Sequence, residues 1–485
     1  MICISVTPTS RQLAKVDILN AARNADLVEV CLDHLAKEPD IPDLIEGISK
    51  PLLLSCRRKQ DGGHWEGTEE QRLALLRLAI VAGPAYVELE LDIAKSIPRF
   101  GKTKRVISIT RMDRALGNVE DLIEEAKKVN ADVVKFTWPT PTIDAAWPLL
   151  AAVSKKRDIP VVGFGIGRGG VTFSLLGQKH GSPWMYAALE KGMEAFDGQS
   201  TVWDLDDIYG WREIDTHTRF VGVVGLDTFG MATTKLFTAG FRKLGLNMRC
   251  LPLALGGFDK LGQMLDILKI NALLVSPRFA QHTLQFAQQM EDSAKECQFC
   301  DILVKQPAGW MAYNTAWKSV IKAIEDKLGR KEAEDRPLDR RNVLVIGSGG
   351  MAPAIAWGIQ RRKGVLSITA PDDKAAQQIA TKLNCRHVPF ANLYDTLADV
   401  VVIADPAIIP GHKKTELNAA YLRPSMTLAD VSHVPEETEF VREARMRGCK
   451  LIEPAAVYRD QAVGLFKSLT QQDLPAELLE TALAE

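Results

Sequence analysis

Eight short runs of β-favouring apolar residues recur along the first 190 residues, beginning near Ile2, Asp26, Pro51, Ala85, Arg105, Asp132, Pro160 and Pro183. Their spacing, roughly 25–30 residues, leaves room after each strand for a helix-period stretch such as Glu69–Val81 or Val119–Val129. Strands joined by helical crossovers run parallel, and eight such units close into a (βα)8 barrel more readily than they spread as an open sheet. Barrel chemistry gathers at the C-terminal ends of the strands, which singles out Glu29, Cys31, Arg57, Glu90, Thr110 and Lys135 for scrutiny.

The chain has 485 residues, too many for one ordinary core. After Arg212 the pattern restarts with Phe220-Val-Gly-Val-Val-Gly225, and strand and helix alternate again to about Leu328. A highly charged stretch, Gly329–Arg341, reads as a surface connection, and Asn342-Val-Leu-Val-Ile-Gly347 then opens a third α/β unit. The expected boundaries are 1–215, 218–330 and 338–485. The third unit begins strand, then Gly347-Ser348-Gly349-Gly350-Met351-Ala352, then helix, the context in which backbone N–H groups cradle a dinucleotide phosphate. A tight turn that serves packing alone is the other reading of that string.

Sixty Lys and Arg balance 61 Asp and Glu, without the basic excess of a nucleic-acid or anionic-membrane binder. No run of 18 apolar residues escapes charge, so no transmembrane helix is expected. Met1-Ile-Cys-Ile-Ser-Val6 reads as a strand from the first residue with no leader ahead of it, and eight dispersed cysteines suit a reducing compartment, so a cytoplasmic protein with a small-molecule partner is expected. Self-association into a homo-oligomer stays open. Cys297 and Cys300 lack the second ligand pair of a zinc site, and the eight histidines are scattered. His64 is the exception, because its loop, Asp61-Gly-Gly-His-Trp-Glu-Gly67, follows Arg57 and stands to cover the barrel mouth.

Lys135 is the one basic residue in the buried-looking strand Ala131-Asp-Val-Val-Lys-Phe136. Desolvation disfavours the ammonium, and a neutral amine in an apolar barrel is a nucleophile for carbonyl carbon. Residues 1–212 resemble type I 3-dehydroquinate dehydratase through Asp26-Leu-Val-Glu-Val-Cys-Leu-Asp33, Arg57 followed by Asp61-Gly-Gly63, Glu88-Leu-Glu90-Leu91, Ala131–Lys135, Gly181-Ser182 and Gly198-Gln199. Residues 218–485 resemble shikimate dehydrogenase through Ala312-Tyr-Asn-Thr315, the glycine-rich turn and Gln461-Ala462. The order is that of the fused bifunctional enzyme of plants. The resemblance implies dehydration of 3-dehydroquinate through a Schiff base on Lys135, with a histidine moving protons, and NADPH reduction of 3-dehydroshikimate. Both substrates are small carboxylates. It further implies substrate contacts from Glu29, Arg57, Glu90, Gln199, Asn314 and Gln461.

The chain departs from the family pattern at several positions. Cys31 stands where the family has arginine, and Thr110, or Arg111 one place on, where it has the acid/base histidine. Phe173 and Ser174 replace a serine-arginine pair, with Arg168 the nearest cation in that loop. Met231 and Thr233 replace a serine pair, Phe279 beside Arg278 a lysine, and Ala316 an aspartate. After the second Rossmann strand, Ala370-Pro-Asp-Asp373 replaces asparagine-arginine. An acid there favours a free ribose hydroxyl and hence NAD, while Arg361, Arg362 and Lys374 keep NADP open; a helix N-cap is the other role for this acidic pair. Three readings follow: a bifunctional shikimate-pathway enzyme, a scaffold that binds a metabolite, nucleotide or partner without turnover, or a divergent enzyme with a different substrate.

Overall fold

A computed structural model describes residues 1–36, 39–167, 169–409 and 417–481. The chain divides into two compact units, Met1–Arg219 with Leu253–Met264, and Phe220–Pro252 with Leu265–Glu485. No helix among the described residues is long and apolar enough to cross a membrane.

The first unit is an eight-stranded parallel sheet of β1 (Ile2–Val6), β2 (Leu27–Cys31), β3 (Leu52–Ser55), β4 (Tyr86–Glu90), β5 (Lys104–Thr110), β6 (Val133–Pro139), β7 (Val161–Ile166) and β8 (Met185–Ala188). Its order, β7-β6-β5-β4-β3-β2-β1-β8, curls until the two end strands touch, which gives a near-closed barrel. Both strand faces are buried, the outer one under helices, so the strands read as continuous apolar runs. Side chains alternate in and out. Cys3, Leu27, Leu53, Val106 and Val133 belong to the apolar core inside the barrel. Residues two further along each strand, Ser5, Glu29, Ser55, Ser108 and Lys135, form the next, polar layer toward the mouth.

The expected strands and helices fall close to their places, with a difference. Glu69–Val81 is a helix held by a capping box, in which Thr68 Oγ1 accepts from Gln71 N and Gln71 Oε1 accepts from Thr68 N. Between β4 and β5, however, the connection carries only a 3-10 turn, Ala94–Ser96, because those residues include Pro98 and Gly101 and no apolar stripe long enough to cover the sheet.

The second unit carries two six-stranded sheets. One contains β9 (Arg219–Val224), β10 (Met248–Leu253), β11 (Ala272–Val275), β12 (Gln289–Met290), β13 (Ile302–Gln306) and β14 (Gly309–Tyr313), ordered β10-β9-β11-β13-β14-β12. β13 runs antiparallel to both of its neighbours. The other contains β15 (Asn342–Ile346), β16 (Val365–Thr369), β17 (Arg386–His387), β18 (Val400–Ile403), β19 (Thr427–Asp430) and β20 (Lys450–Ile452), ordered β17-β16-β15-β18-β19-β20 and parallel throughout. The connection reverses direction between β15 and β18, the switch point where open α/β sheets bind ligands. All eight cysteines are free thiols, six of them buried.

Candidate functional sites

In the barrel, four charged side chains meet in one buried layer. Lys135 Nζ lies 2.8 Å from Glu88 Oε2 and 3.8 Å from Glu29 Oε1. Arg57 Nε lies 3.3 Å from Glu88 Oε1, and the other end of its guanidinium pairs with Glu29. Ser5 Oγ donates to Glu29 Oε2 at 2.7 Å, and Gln199 Nε2 donates to Ser5 Oγ at 3.2 Å. Two cations thus face two anions with every carboxylate oxygen accepting a hydrogen bond, the condition under which buried charge is tolerated. Burial, reinforced by Arg57, draws the Lys135 amine below its ordinary range. Burial works to raise Glu88, but Lys135 and Arg57 outweigh it and hold that carboxyl at about 2.

The structure therefore brings together Lys135, Glu29, Arg57 and Gln199 from the sequence-derived set. Glu90 does not join them. It lies one layer nearer the mouth, gripped by Arg72 NH1 at 2.8 and 3.0 Å, and burial lifts its carboxyl to about 7. Glu88 takes the place facing the lysine. Counting in steps of two from the apolar layer, Tyr86 to Glu88 as Val133 to Lys135, would have selected it.

The Lys135 ammonium sits 4.6 Å from the Tyr186 ring centroid and 5.8 Å from that of Phe164. The void beside these rings is about 10 Å³, room for about one water. A ring-sized acid reaches the amine only when the two aromatics turn aside. The larger opening at the mouth, 700 Å³, lies over β4 and β5 and is lined by Arg58, Asp61, Glu90, Thr110 and Arg111 among others. Of the substituted positions, Cys31 Sγ receives a contact from Arg57 NH1 at 3.6 Å. Phe173 and Ser174 are buried within the helix Gly170–Lys179, so they pack where a clamp would have reached out. Arg168 lies outside the described residues.

In the second unit a cleft of 630 Å³ is lined by Asp227, Phe229, Arg278, Ser348, Asp405 and His433 among others. The turn after β15 has the backbone an anion cradle needs: Gly347 has φ 126° and Gly350 φ 55°. A Cβ on Gly349 would lie 2.9 Å from Asp405 Oδ2. The turn already holds an anion of its own. Asp405 Oδ2 accepts from Gly349 N at 2.6 Å and Ser348 N at 3.2 Å, while Oδ1 accepts from Ala407 N at 3.0 Å. Met351 N instead donates to Ala404 O, and Ala352 begins the helix that follows. Asp405 lies two residues past the end of β18, where glycine spacing gives no signal.

Gln461 reaches another carboxylate that sequence reading passed over, and Asn314 precedes the residues that donate to it. Asp301, fully buried, accepts from Thr315 N, Thr315 Oγ1 at 2.7 Å, Ala316 N at 2.7 Å and Gln461 Nε2 at 3.5 Å. Burial raises its carboxyl despite those donors. Neither amide atom of the buried Asn314 has a hydrogen-bond partner among the described residues. Met231 is 58% exposed and Thr233 donates to Phe229 O within its own helix, so neither replaces a substrate-facing hydroxyl. Asp372 caps the helix Asp373–Leu383 by accepting from Ala375 N, and Asp373 accepts from Phe390 N.

The type I 3-dehydroquinase family profile matches residues 2–216. The bifunctional 3-dehydroquinate dehydratase/shikimate dehydrogenase of Arabidopsis thaliana, chloroplastic by description, is 25% identical over 503 aligned residues, covering 99% of this chain and 83% of the relative. Shikimate dehydrogenase (NADP(+)) from Acidiphilium cryptum is 26% identical over 251 residues, 51% of this chain and 88% of the relative. The crystal structure of shikimate dehydrogenase from Aquifex aeolicus superposes with a TM-score of 0.50 at 19% identity, covering 56% of this chain and all of that one. This last likeness fixes the fold of the second unit.

Proposed function

For a chain whose residues 2–216 belong to the type I 3-dehydroquinase family and whose full length follows the plant fusion of that barrel to a shikimate dehydrogenase, we propose a bifunctional role in the shikimate pathway, with 3-dehydroquinate bound at Lys135. The observation that carries the barrel half is the desolvated Lys135 amine, pulled below its ordinary range yet held by Glu88 at 2.8 Å. Its neutral form attacks the ketone carbon and water leaves to give an iminium; a base takes the proton from the adjacent carbon, the enamine so formed expels the hydroxyl one carbon further as water, and hydrolysis of the C=N bond frees the amine. Glu88 keeps the nitrogen oriented. Sodium borohydride added with 3-dehydroquinate is expected to reduce the C=N bond and leave a stable adduct on Lys135, read by peptide mass spectrometry. Absence of both adduct and product removes the dehydratase assignment.

Proton removal is the weaker step. Thr110, buried at the mouth, cannot exchange a proton near neutral pH, and elimination without a positioned acid/base is slowed by about 10²–10⁴. Because Thr110 lines the 700 Å³ opening, imidazole has room there. Thr110→His is expected to raise the dehydration rate by up to that factor, checked by steady-state turnover, with the adduct yield on Lys135 unchanged. No gain would mean that proton transfer is not what limits the barrel.

In the second unit, the reading is a nicotinamide-dinucleotide site at Gly347–Ala352, with Asn314 and Gln461 toward the substrate. The cradle fits the group, since two of its amides already hold a carboxylate oxygen. A bound dinucleotide supplies hydride to a carbonyl carbon; this chain's part is to orient the rings and exclude water between the two sheets. Asp372 and Asp373, at the start of the helix after β16, already accept from Ala375 N and Phe390 N, yet an acidic pair there would still meet a ribose hydroxyl more favourably than a phosphate, which supports NAD over NADP.

A further inference from the structure

Asp33, His34 and His64 converge at the barrel mouth, outside the lysine layer. Asp33 and His34 lie in the 3-10 turn Leu32–His34 that leaves β2, and His64 lies on the loop that leaves β3. The Asp33 carboxylate is buried and ties the two loops together, Oδ1 accepting from Arg57 N at 3.1 Å and Oδ2 from His64 N at 2.8 Å. The glycine pair before His64 is what permits this. Gly62 has φ 79°, and a Cβ on Gly63 would lie 2.3 Å from the Arg57 carbonyl oxygen. Flexibility is thus not their role; close approach is, and it folds His64 back over Asp33.

The two imidazoles stand with ring centroids 4.2 Å apart at 46°, and His34 Nε2 is 3.8 Å from Asp33 Oδ2. One ligand atom from each of the three residues lies within 4.8 Å of the other two. Zinc-ligand bonds of about 2.0–2.2 Å put tetrahedral donors roughly 3.3 Å apart, so donors now within 4.8 Å must close by up to about 1.5 Å.

We propose that Asp33, His34 and His64 form a site for a divalent transition metal of the zinc class, with the fourth position open at the mouth. Two imidazole nitrogens and one carboxylate oxygen are a borderline donor set, and a three-ligand site keeps its fourth place for water or an incoming carboxylate. The neighbouring charges do not oppose it: Arg57 turns its guanidinium inward to Glu29 and Glu88, and Arg58 pairs with Asp61 and Asp92. The ion would restore positive charge two to three residues beyond Cys31, where a carboxylate substrate enters.

Cobalt(II) titration of the full chain tests this apart from any turnover. One equivalent is expected to give the intense visible absorption of tetrahedral Co²⁺, displaced by Zn²⁺. His34→Ala/His64→Ala, confirmed as folded by circular dichroism, should lose at least 100-fold in affinity. Asp33→Asn should weaken binding while keeping an acceptor for the two loop amides. Shikimate added to the Co²⁺ form is expected to shift the bands through the open position. No absorption, or equal affinity in the double variant, overturns the site; absorption that shikimate leaves unchanged overturns its anchoring role.

Discussion

Glutamine in place of Glu88 is expected to lower the stability of the barrel by about 3–5 kcal/mol, the usual cost of removing one partner from a buried ion pair. Glu88 and Glu29 balance Lys135 and Arg57 in a layer that water does not reach. Removing Glu88 leaves two cations to one anion. The lysine can relieve this by shedding its proton, and since its folded pKa then lies further below the unfolded one, the unfolded chain binds more protons in that interval. The deficit of Glu88→Gln should therefore shrink as pH rises toward the ordinary lysine range. In the wild type the carboxylate gives a slope of the same sign, in a lower pH window. Held at about 2 against an ordinary 4.5, Glu88 contributes fully above about pH 4.5, and that contribution is lost as pH falls toward 2.

Lys135→Met alone should cost about as much, because it leaves two carboxylates on Arg57, whereas the double variant Glu88→Gln/Lys135→Met removes one charge of each sign and should recover most of the loss. Hydrogen exchange resolved by peptide over β1–β8 gives the barrel's free energy separately from the second unit's. A single Glu88→Gln variant within 1 kcal/mol of wild type, a change too small for a buried pair, would show that the layer is solvated.

The barrel was legible from the sequence because its strands are buried on both faces and its period is regular. What was not legible lies along the third dimension. Lys135 stood out as the one cation in an apolar strand, but Glu88 and Glu90 share one face of β4, and which of them faces the lysine depends on layer, where family matching selected Glu90 and the structure places Glu88. Arg72 was invisible for a related reason: it sits on a helix, yet its guanidinium crosses to a strand end to hold Glu90. In the second unit the glycine turn was plain from strand, glycines and helix in succession. Asp405 was not, since it arrives 55 or more residues later from the neighbouring strand. Asp301 likewise gathers Thr315, Ala316 and Gln461 from two distant stretches of chain. Local periodicity reports elements; the partners of a buried charge are set by which elements become neighbours.

Asp405→Ala is expected to tighten dinucleotide binding by about 10- to 100-fold. In the wild type a pyrophosphate must take the place of a carboxylate that already accepts two turn amides, and the shorter of these bonds alone, as a hydrogen bond to a charged group, is worth about 1.5–3 kcal/mol, tenfold for every 1.4 kcal/mol. If the carboxylate stays near after displacement, repulsion adds to the cost, about 4 kcal/mol for unit charges 4 Å apart at an effective dielectric of 20. Asp405→Asn separates the two contributions. Its amide oxygen still occupies the donors but carries no charge, so its gain should fall between wild type and alanine. Isothermal titration with NAD⁺ and with NADP⁺ measures both. Since Asp405 acts on the pyrophosphate, which the two cofactors share, alanine should improve them by the same factor, and the NAD/NADP ratio should move only when Asp372 or Asp373 is changed. An alanine variant that binds neither more tightly than the wild type does would mean that the turn serves packing, with Asp405 as its permanent cap.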